Sequence, residues 1–148
     1  MTIRTKRIIV DILMTVCFIL SFDIRWPVLG GNLIFHIVAG SATAVLFAVH
    51  VWINRQWLIS VGKSRRAGKL SKKTKRQYGI DIALLIVWSI NIVAGLITMG
   101  YSIAEPGVSN GFRSLHSLTA TVGLVLIIVH VIQHARTIRS YVGRKKSV

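Results

Sequence analysis

His36-Ile-Val-Ala-Gly-Ser-Ala-Thr-Ala-Val-Leu-Phe-Ala-Val-His50 and His116-Ser-Leu-Thr-Ala-Thr-Val-Gly-Leu-Val-Leu-Ile-Ile-Val-His130 are two runs of equal length, bounded by histidines and carrying no charged side chain in between. At 100° per residue, fourteen steps leave the two histidines of each run only about 40° apart around a helix axis. Along that axis they are about 21 Å apart at 1.5 Å per residue. Each run is therefore an apolar helix that presents one imidazole near either edge of a hydrocarbon layer about 30 Å thick.

The composition around these runs sets the class. The chain has 148 residues, Lys+Arg 19 against Asp+Glu 4, a formal net charge of +15 and 53% hydrophobic residues. Its mean hydropathy is +0.63. A soluble nucleic-acid-binding domain can be this basic but not this apolar, so no nucleic-acid partner is expected; apolar spans with basic segments on one side are expected of a small polytopic membrane protein. Cys17 is the only cysteine. That excludes a disulfide scaffold, a zinc ribbon, a thiolate iron–sulfur cluster and a c-type haem attachment.

Four apolar stretches predict four transmembrane helices, at about 8–24, 33–53, 80–99 and 114–132, with a basic loop over 54–79. The first is interrupted near its ends by Asp11 and Asp23. It reads as a retained helix rather than a signal peptide, since Asp23, Ile24, Arg25, Trp26 and Pro27 follow it where a small-residue cleavage site would stand. Three basic residues precede it, nine lie between the second and third stretches, and five follow the fourth; only Arg25 and Arg113 fall in the opposite loops. The positive-inside rule then places both termini and the 54–79 loop in the cytoplasm of a bacterial-type inner membrane, with the basic loop against anionic membrane lipid.

The second and fourth spans both run inward, so His36 and His116 share an outer depth and His50 and His130 an inner one. Two neutral imidazoles can ligate a haem iron from both faces. The matched depths thus predict two b haems, an outer one on His36 and His116 and an inner one on His50 and His130, with irons about 20 Å apart along the normal. A single histidine in a span can instead hydrogen-bond a neighbouring helix. Isolated histidine pairs without nearby carboxylates or thiols make poor sites for other metals.

A weak repeat accompanies the histidines. At an offset of 80, His36, Val45, Leu46, Val49, His50 and Val51 recur as His116, Val125, Leu126, Val129, His130 and Val131, and at an offset of 70 Asp11-Ile12 recurs as Asp81-Ile82. The expected architecture is all-α: an integral membrane four-helix bundle, one domain over 1–148, built of two haem-binding helical hairpins related by a pseudo-twofold along the membrane normal. Gly40, Gly95, Ala120 and Gly123 are small residues within spans, suited either to close helix packing or to clearance for a flat macrocycle.

Several polar residues lie beside the ligands. Asn54 and His134 each stand four residues past an inner histidine, on the same helix face, as candidate contacts for a haem propionate or a quinone headgroup. Arg113, one turn before His116, suits an outer propionate, and Arg55 and Arg136 are the inner counterparts; a plain interfacial role fits all of them as well. Asp11 and Asp81 fit either pairing with the basic segments or a proton path beside a quinone. Trp26, Trp52, Trp57, Tyr78 and Tyr101 read as interfacial anchors, Trp88 as a deeper residue able to pack on a haem, and Cys17 as a small hydrophobe.

Two H-x13-H helices among four spans resemble the haem-binding part of the di-haem cytochrome b superfamily, which includes the bc-complex cytochrome b and ferric-reductase-like membrane domains. The string His50-Val51-Trp52-Ile53-Asn54-Arg55-Gln56-Trp57 resembles more closely a small four-helix bacterial family associated with electron transfer to extracytosolic flavoproteins. The resemblance covers nearly the whole chain. It implies His36, His50, His116 and His130 as axial ligands and electron conduction between a membrane quinone or quinol and an extracytosolic flavin- or haem-containing redox protein. The chain would then be an electron-transfer subunit of a quinol-linked oxidoreductase. It lacks the longer helical set of the bc-type cytochrome and the nucleotide-binding domain of complete ferric reductases. Two other functions are open on the sequence: a histidine-lined proton or metal transporter, and a structural haem-binding subunit of a larger complex.

Overall fold

Apolar runs in a chain with no water to satisfy its backbone must close their hydrogen bonds internally, which helices do residue by residue. The computed structural model has four: α1 (Ile3–Ser21), α2 (Leu33–Arg66), α3 (Lys72–Ala104) and α4 (Gly111–Val142). It describes residues 3–21, 33–104 and 111–142, without the side chains of residues 4 and 136–142. No strand occurs among the described residues, and the all-α class is as expected.

The helices outrun the apolar stretches that foretold them. α2 has 34 residues and α3 has 33, about 50 Å each at 1.5 Å per residue against a hydrocarbon layer of about 30 Å. The 54–79 segment, expected as a loop, is helical except at residues 67–71. Lys, Arg and Gln are good helix formers, so the basic segments continue the helices into water. What stops them is local. Gly68, at φ 72°, lets its N–H reach the Arg65 carbonyl (3.1 Å) while Lys69 N–H reaches the Ser64 carbonyl (3.0 Å), the paired closure of a helix C-terminus. Ser71 then caps α3, its Oγ accepting from Thr74 N–H at 3.2 Å,.

α2, α3 and the 111–135 part of α4 are long and apolar enough to cross a membrane. The expected first span is different: α1 carries Arg4, Lys6, Arg7 and Asp11 within its 19 residues, too many charges for that class, and residues 22–24 lie outside the described ones. Outward-facing apolar side chains abound, among them Ile34 (70% exposed), Val45 (65%) and Ile132 (68%), as lipid-facing surfaces require.

The chain divides into two compact units, Met1–Lys63 and Ser64–Val148. In the first, three interhelical hydrogen bonds set the register of α1 on α2. Arg7 donates to the Ile53 carbonyl at 3.4 Å, His50 Nδ1 meets Asp11 Oδ1 at 2.6 Å and His36 Nδ1 meets the Ser21 carbonyl at 2.7 Å. In the second, α3 packs on α4 through three bonds at the corresponding places. Gln77 donates to the Gln133 carbonyl at 3.3 Å, His130 Nδ1 meets Asp81 Oδ1 at 2.7 Å and His116 Nδ1 meets the Asn91 carbonyl at 3.0 Å. Every α3 position is an α1 position plus 70, and every α4 position an α2 position plus 80. The two offsets seen in the sequence are thus one hairpin register, used twice.

Candidate histidine sites

Each of the four span histidines is anchored through Nδ1 to the other helix of its own hairpin. The acceptors fall into two kinds. His36 donates to the backbone carbonyl of Ser21 and His116 to that of Asn91. His50 donates to the carboxylate of Asp11 and His130 to that of Asp81. Carbonyls and carboxylates only accept, so the shared proton belongs on Nδ1 and the ring lone pair on Nε2. An imidazole held in this tautomer and aimed by a neighbour's acceptor is what metal ligation uses.

The surroundings of His116 are the most closely built. Gly95 on α3 faces its ring, and a Cβ there would stand 2.9 Å from Cε1 and 3.0 Å from Nδ1. Asn91 supports the same turn of α4, its Nδ2 donating to the His116 carbonyl at 2.8 Å and to Thr119 Oγ1 at 3.0 Å. Asn91 is 8% exposed and Ala94 1%. Gly123 performs a like service for Trp88, whose Nε1 would lie 3.1 Å from an added Cβ. Gly95 and Gly123 are therefore explained by packing of α3 on α4. At Gly40, one turn past His36, an added Cβ would meet nothing within 4 Å.

In the second hairpin three groups converge around Asp81. Asp81, His130 and His134 offer ligand atoms all within 4.8 Å of one another. His134 Nε2 is 3.7 Å from Asp81 Oδ1, and the rings of His130 and His134 lie 4.6 Å apart, tilted by 39°. Asp81 is the more enclosed carboxylate, its side chain 11% exposed against 51% for Asp11. In the first hairpin the position matching His134 holds Asn54, whose Nδ2 turns back to the His50 carbonyl at 2.9 Å. It steadies the turn below His50 instead of extending the cluster.

The remaining residues singled out by sequence are scattered. The Arg55 guanidinium lies over the Trp52 ring of its own helix, 3.6 Å from the centroid. Arg113 is exposed on the first turn of α4. Arg136 lies in α4 with its side chain outside the described ones, and Arg25 and Trp26 lie outside the described residues. Asp11 and Asp81 were expected to meet basic segments or line a proton path; both take a histidine as partner. Asn91 was not foreseen, although the offset of 70 that joins Asp11 to Asp81 also joins Ser21 to it.

No family model matches the chain, and no curated protein or solved structure matches it.

Proposed function

We propose that the chain is a membrane cytochrome that carries electrons across the bilayer through two b haems, the outer held by His36 and His116 and the inner by His50 and His130. The observation that carries this reading is the common tautomer of the four histidines. Each has its Nδ1 proton committed to an acceptor on the adjoining helix, which directs the Nε2 lone pair to a metal. Four histidines packed merely for helix association would not need one nitrogen chosen at every site.

The donor set fits a haem. Bis-imidazole ligation needs two neutral nitrogen donors and no thiolate, and the lack of an obstruction beside Gly40 suits a flat ring next to His36. When bound, the group supplies a one-electron couple between ferric and ferrous iron. The chain supplies the rest: it aims the imidazoles, fixes their protonation, and surrounds them with apolar side chains that keep water away. Arg113 at the outer depth, and Arg55, Arg136 and Asn54 at the inner, are the polar groups placed to meet propionates or a quinone headgroup. A membrane quinone or quinol is the proposed partner at one end, and an extracytosolic flavin- or haem-containing redox protein at the other. The setting is a bacterial-type cytoplasmic membrane with both termini inside. The resemblance to the di-haem cytochrome b superfamily points the same way.

A second reading draws on the Asp81–His130–His134 cluster, which is itself a three-ligand arrangement suited to a divalent metal or a proton path. It makes the chain a histidine-lined transporter subunit. Absorption spectra of the purified protein, oxidised and dithionite-reduced, with extracted haem counted per chain, separate the two. Two haems with a low-spin b-type spectrum, one lost in His36→Ala and one in His50→Ala, support the cytochrome. A colourless, correctly inserted protein made with ample haem overturns it.

A further inference from the structure

α4 carries His130 and His134 four residues apart, so their rings share one helix face, a turn from each other,. Two imidazoles at that spacing on one helix are a recurrent half of a zinc site. The register of α3 on α4 brings up a third donor. Asp81 Oδ1 stands 2.7 Å from His130 Nδ1 and 3.7 Å from His134 Nε2, and each of the three residues has a ligand atom within 4.8 Å of the others. Ligands bound to zinc at about 2.0–2.1 Å stand about 3.3–3.4 Å apart at the corners of a tetrahedron. The two gaps at Asp81 fall on either side of that edge, so side-chain shifts of about half an ångström complete the arrangement.

We propose that Asp81, His130 and His134 bind one divalent first-row transition ion of the zinc type, through Asp81 Oδ1, His130 Nδ1 and His134 Nε2. Two imidazoles and a carboxylate suit that class, whereas calcium and magnesium call for six or more oxygen ligands. Three protein ligands leave a fourth position to water. The ion takes the place of the proton that His130 Nδ1 shares with Asp81. That proton moves to Nε2 of the same ring or, where Nε2 holds iron, leaves to solvent. The site thus goes beyond the cytochrome reading without taking the nitrogen assigned to haem, and it stands without that reading as well. An ion held by all three residues also ties α3 to α4. The first hairpin repeats the acid–histidine pair in Asp11 and His50 but has asparagine at the third place, where Asn54 Nδ2 donates to the His50 carbonyl at 2.9 Å.

Titration of zinc chloride into the whole purified protein, freed of any affinity tag and washed with chelator, tests the site by calorimetry. One strongly bound ion per chain is expected. His134→Asn gives the second hairpin the residue that the first has at this place and leaves the Asp81–His130 pair intact. It should weaken zinc binding by about tenfold or more, since deleting even a ligand's hydrogen-bond partner costs about 10–100-fold. Cys17→Ser should bind zinc as the wild type does. X-ray absorption at the zinc edge should show nitrogen and oxygen neighbours at about 2.0–2.1 Å, two imidazoles among them and no sulfur. A wild type that binds no zinc, an unchanged affinity in His134→Asn, or sulfur beside the metal overturns the proposal. A protein that binds zinc but no haem overturns the cytochrome reading and leaves this site standing; one that binds haem but no zinc does the reverse.

Discussion

Asp81 Oδ1 lies 2.7 Å from His130 Nδ1, and Asp11 Oδ1 lies 2.6 Å from His50 Nδ1 at the matching place of the first hairpin. The two contacts tie residues 49 and 39 positions apart and bring His130 and His50 under the control of an acidic side chain on the neighbouring helix. Carboxylates are rarely kept in an apolar span without a task; here the task is to aim a ring and hold its proton.

On the proposed cytochrome reading, removing that control weakens ligation. Asp81→Ala is expected to lower the affinity for haem by about 10–100-fold, the usual effect of deleting a ligand's hydrogen-bond partner. Asp11→Ala should fall nearer the low end, because the Asp11 side chain is 51% exposed and water can replace part of what it supplies. Titration of haem into the haem-depleted protein, read by the growth of the b-type spectrum, measures both.

Two glycines should respond in opposite ways. Gly95→Ala drives a methyl group to within 2.9 Å of the His116 ring, and overpacking of this kind costs about 1–3 kcal/mol; the variant is expected to lose thermal stability and the outer haem together. Gly40→Ala meets no neighbouring atom within 4 Å, so its helix content and melting should match the wild type. Its haem content should nonetheless fall, because the methyl group takes up clearance beside His36. Circular dichroism with haem counted per chain distinguishes the pair.

Asn91 is a structural support. Asn91→Ala removes the bonds to the His116 carbonyl and to Thr119 Oγ1 and should cost about 0.6 kcal/mol for each, the average for such bonds between membrane helices. The backbone carbonyl that anchors the His116 ring survives the change, so haem content is expected to stay at the wild-type value while the melting temperature drops. Thermal scans in detergent check this.

Much of this was legible in the sequence, and what was hidden has a physical reason. Long apolar runs announce helices, and histidines fourteen residues apart announce a shared face, because both follow from helical periodicity alone. The helix ends were misplaced because hydropathy marks where the lipid ends. The backbone hydrogen bonds continue through Arg55 and Lys63 until Gly68 permits a positive φ. The anchors were harder still. Ser21 and Asn91 act through their peptide carbonyls, which no residue type reveals. Asp11 and Asp81 stood out as an offset pair, but finding their partners needed the register of one helix on the next. Arg7 to Ile53 and Gln77 to Gln133 show that register plainly.

Gly68 offers a local check on the link between α2 and α3. A side chain at φ 72° costs about 1–2 kcal/mol, so Gly68→Ala should loosen the 67–71 link without touching any histidine anchor. Protease cleavage there should speed up while the b-type spectrum stays unchanged.

The same link reports topology. With Cys17→Ser as background, Lys69→Cys is expected to react with a membrane-impermeant maleimide in inside-out vesicles and to resist it in intact cells. Labelling in intact cells would reverse the assigned orientation.

The double register also has a historical consequence. Every anchor described closes within a single hairpin, so one hairpin already contains a complete outer histidine and a complete inner one with its acid. On the proposed reading, such a half-length chain would supply one ligand to each haem, and two identical copies would supply both. Tandem duplication of one hairpin would leave offsets of 70 and 80 if ten residues were gained between the anchor and the histidine of the second copy: 15 positions separate Ser21 from His36 and 25 separate Asn91 from His116. Joined copies would no longer need to be identical, and the position four residues past His50 and His130 differs between the hairpins: asparagine at 54, histidine at 134.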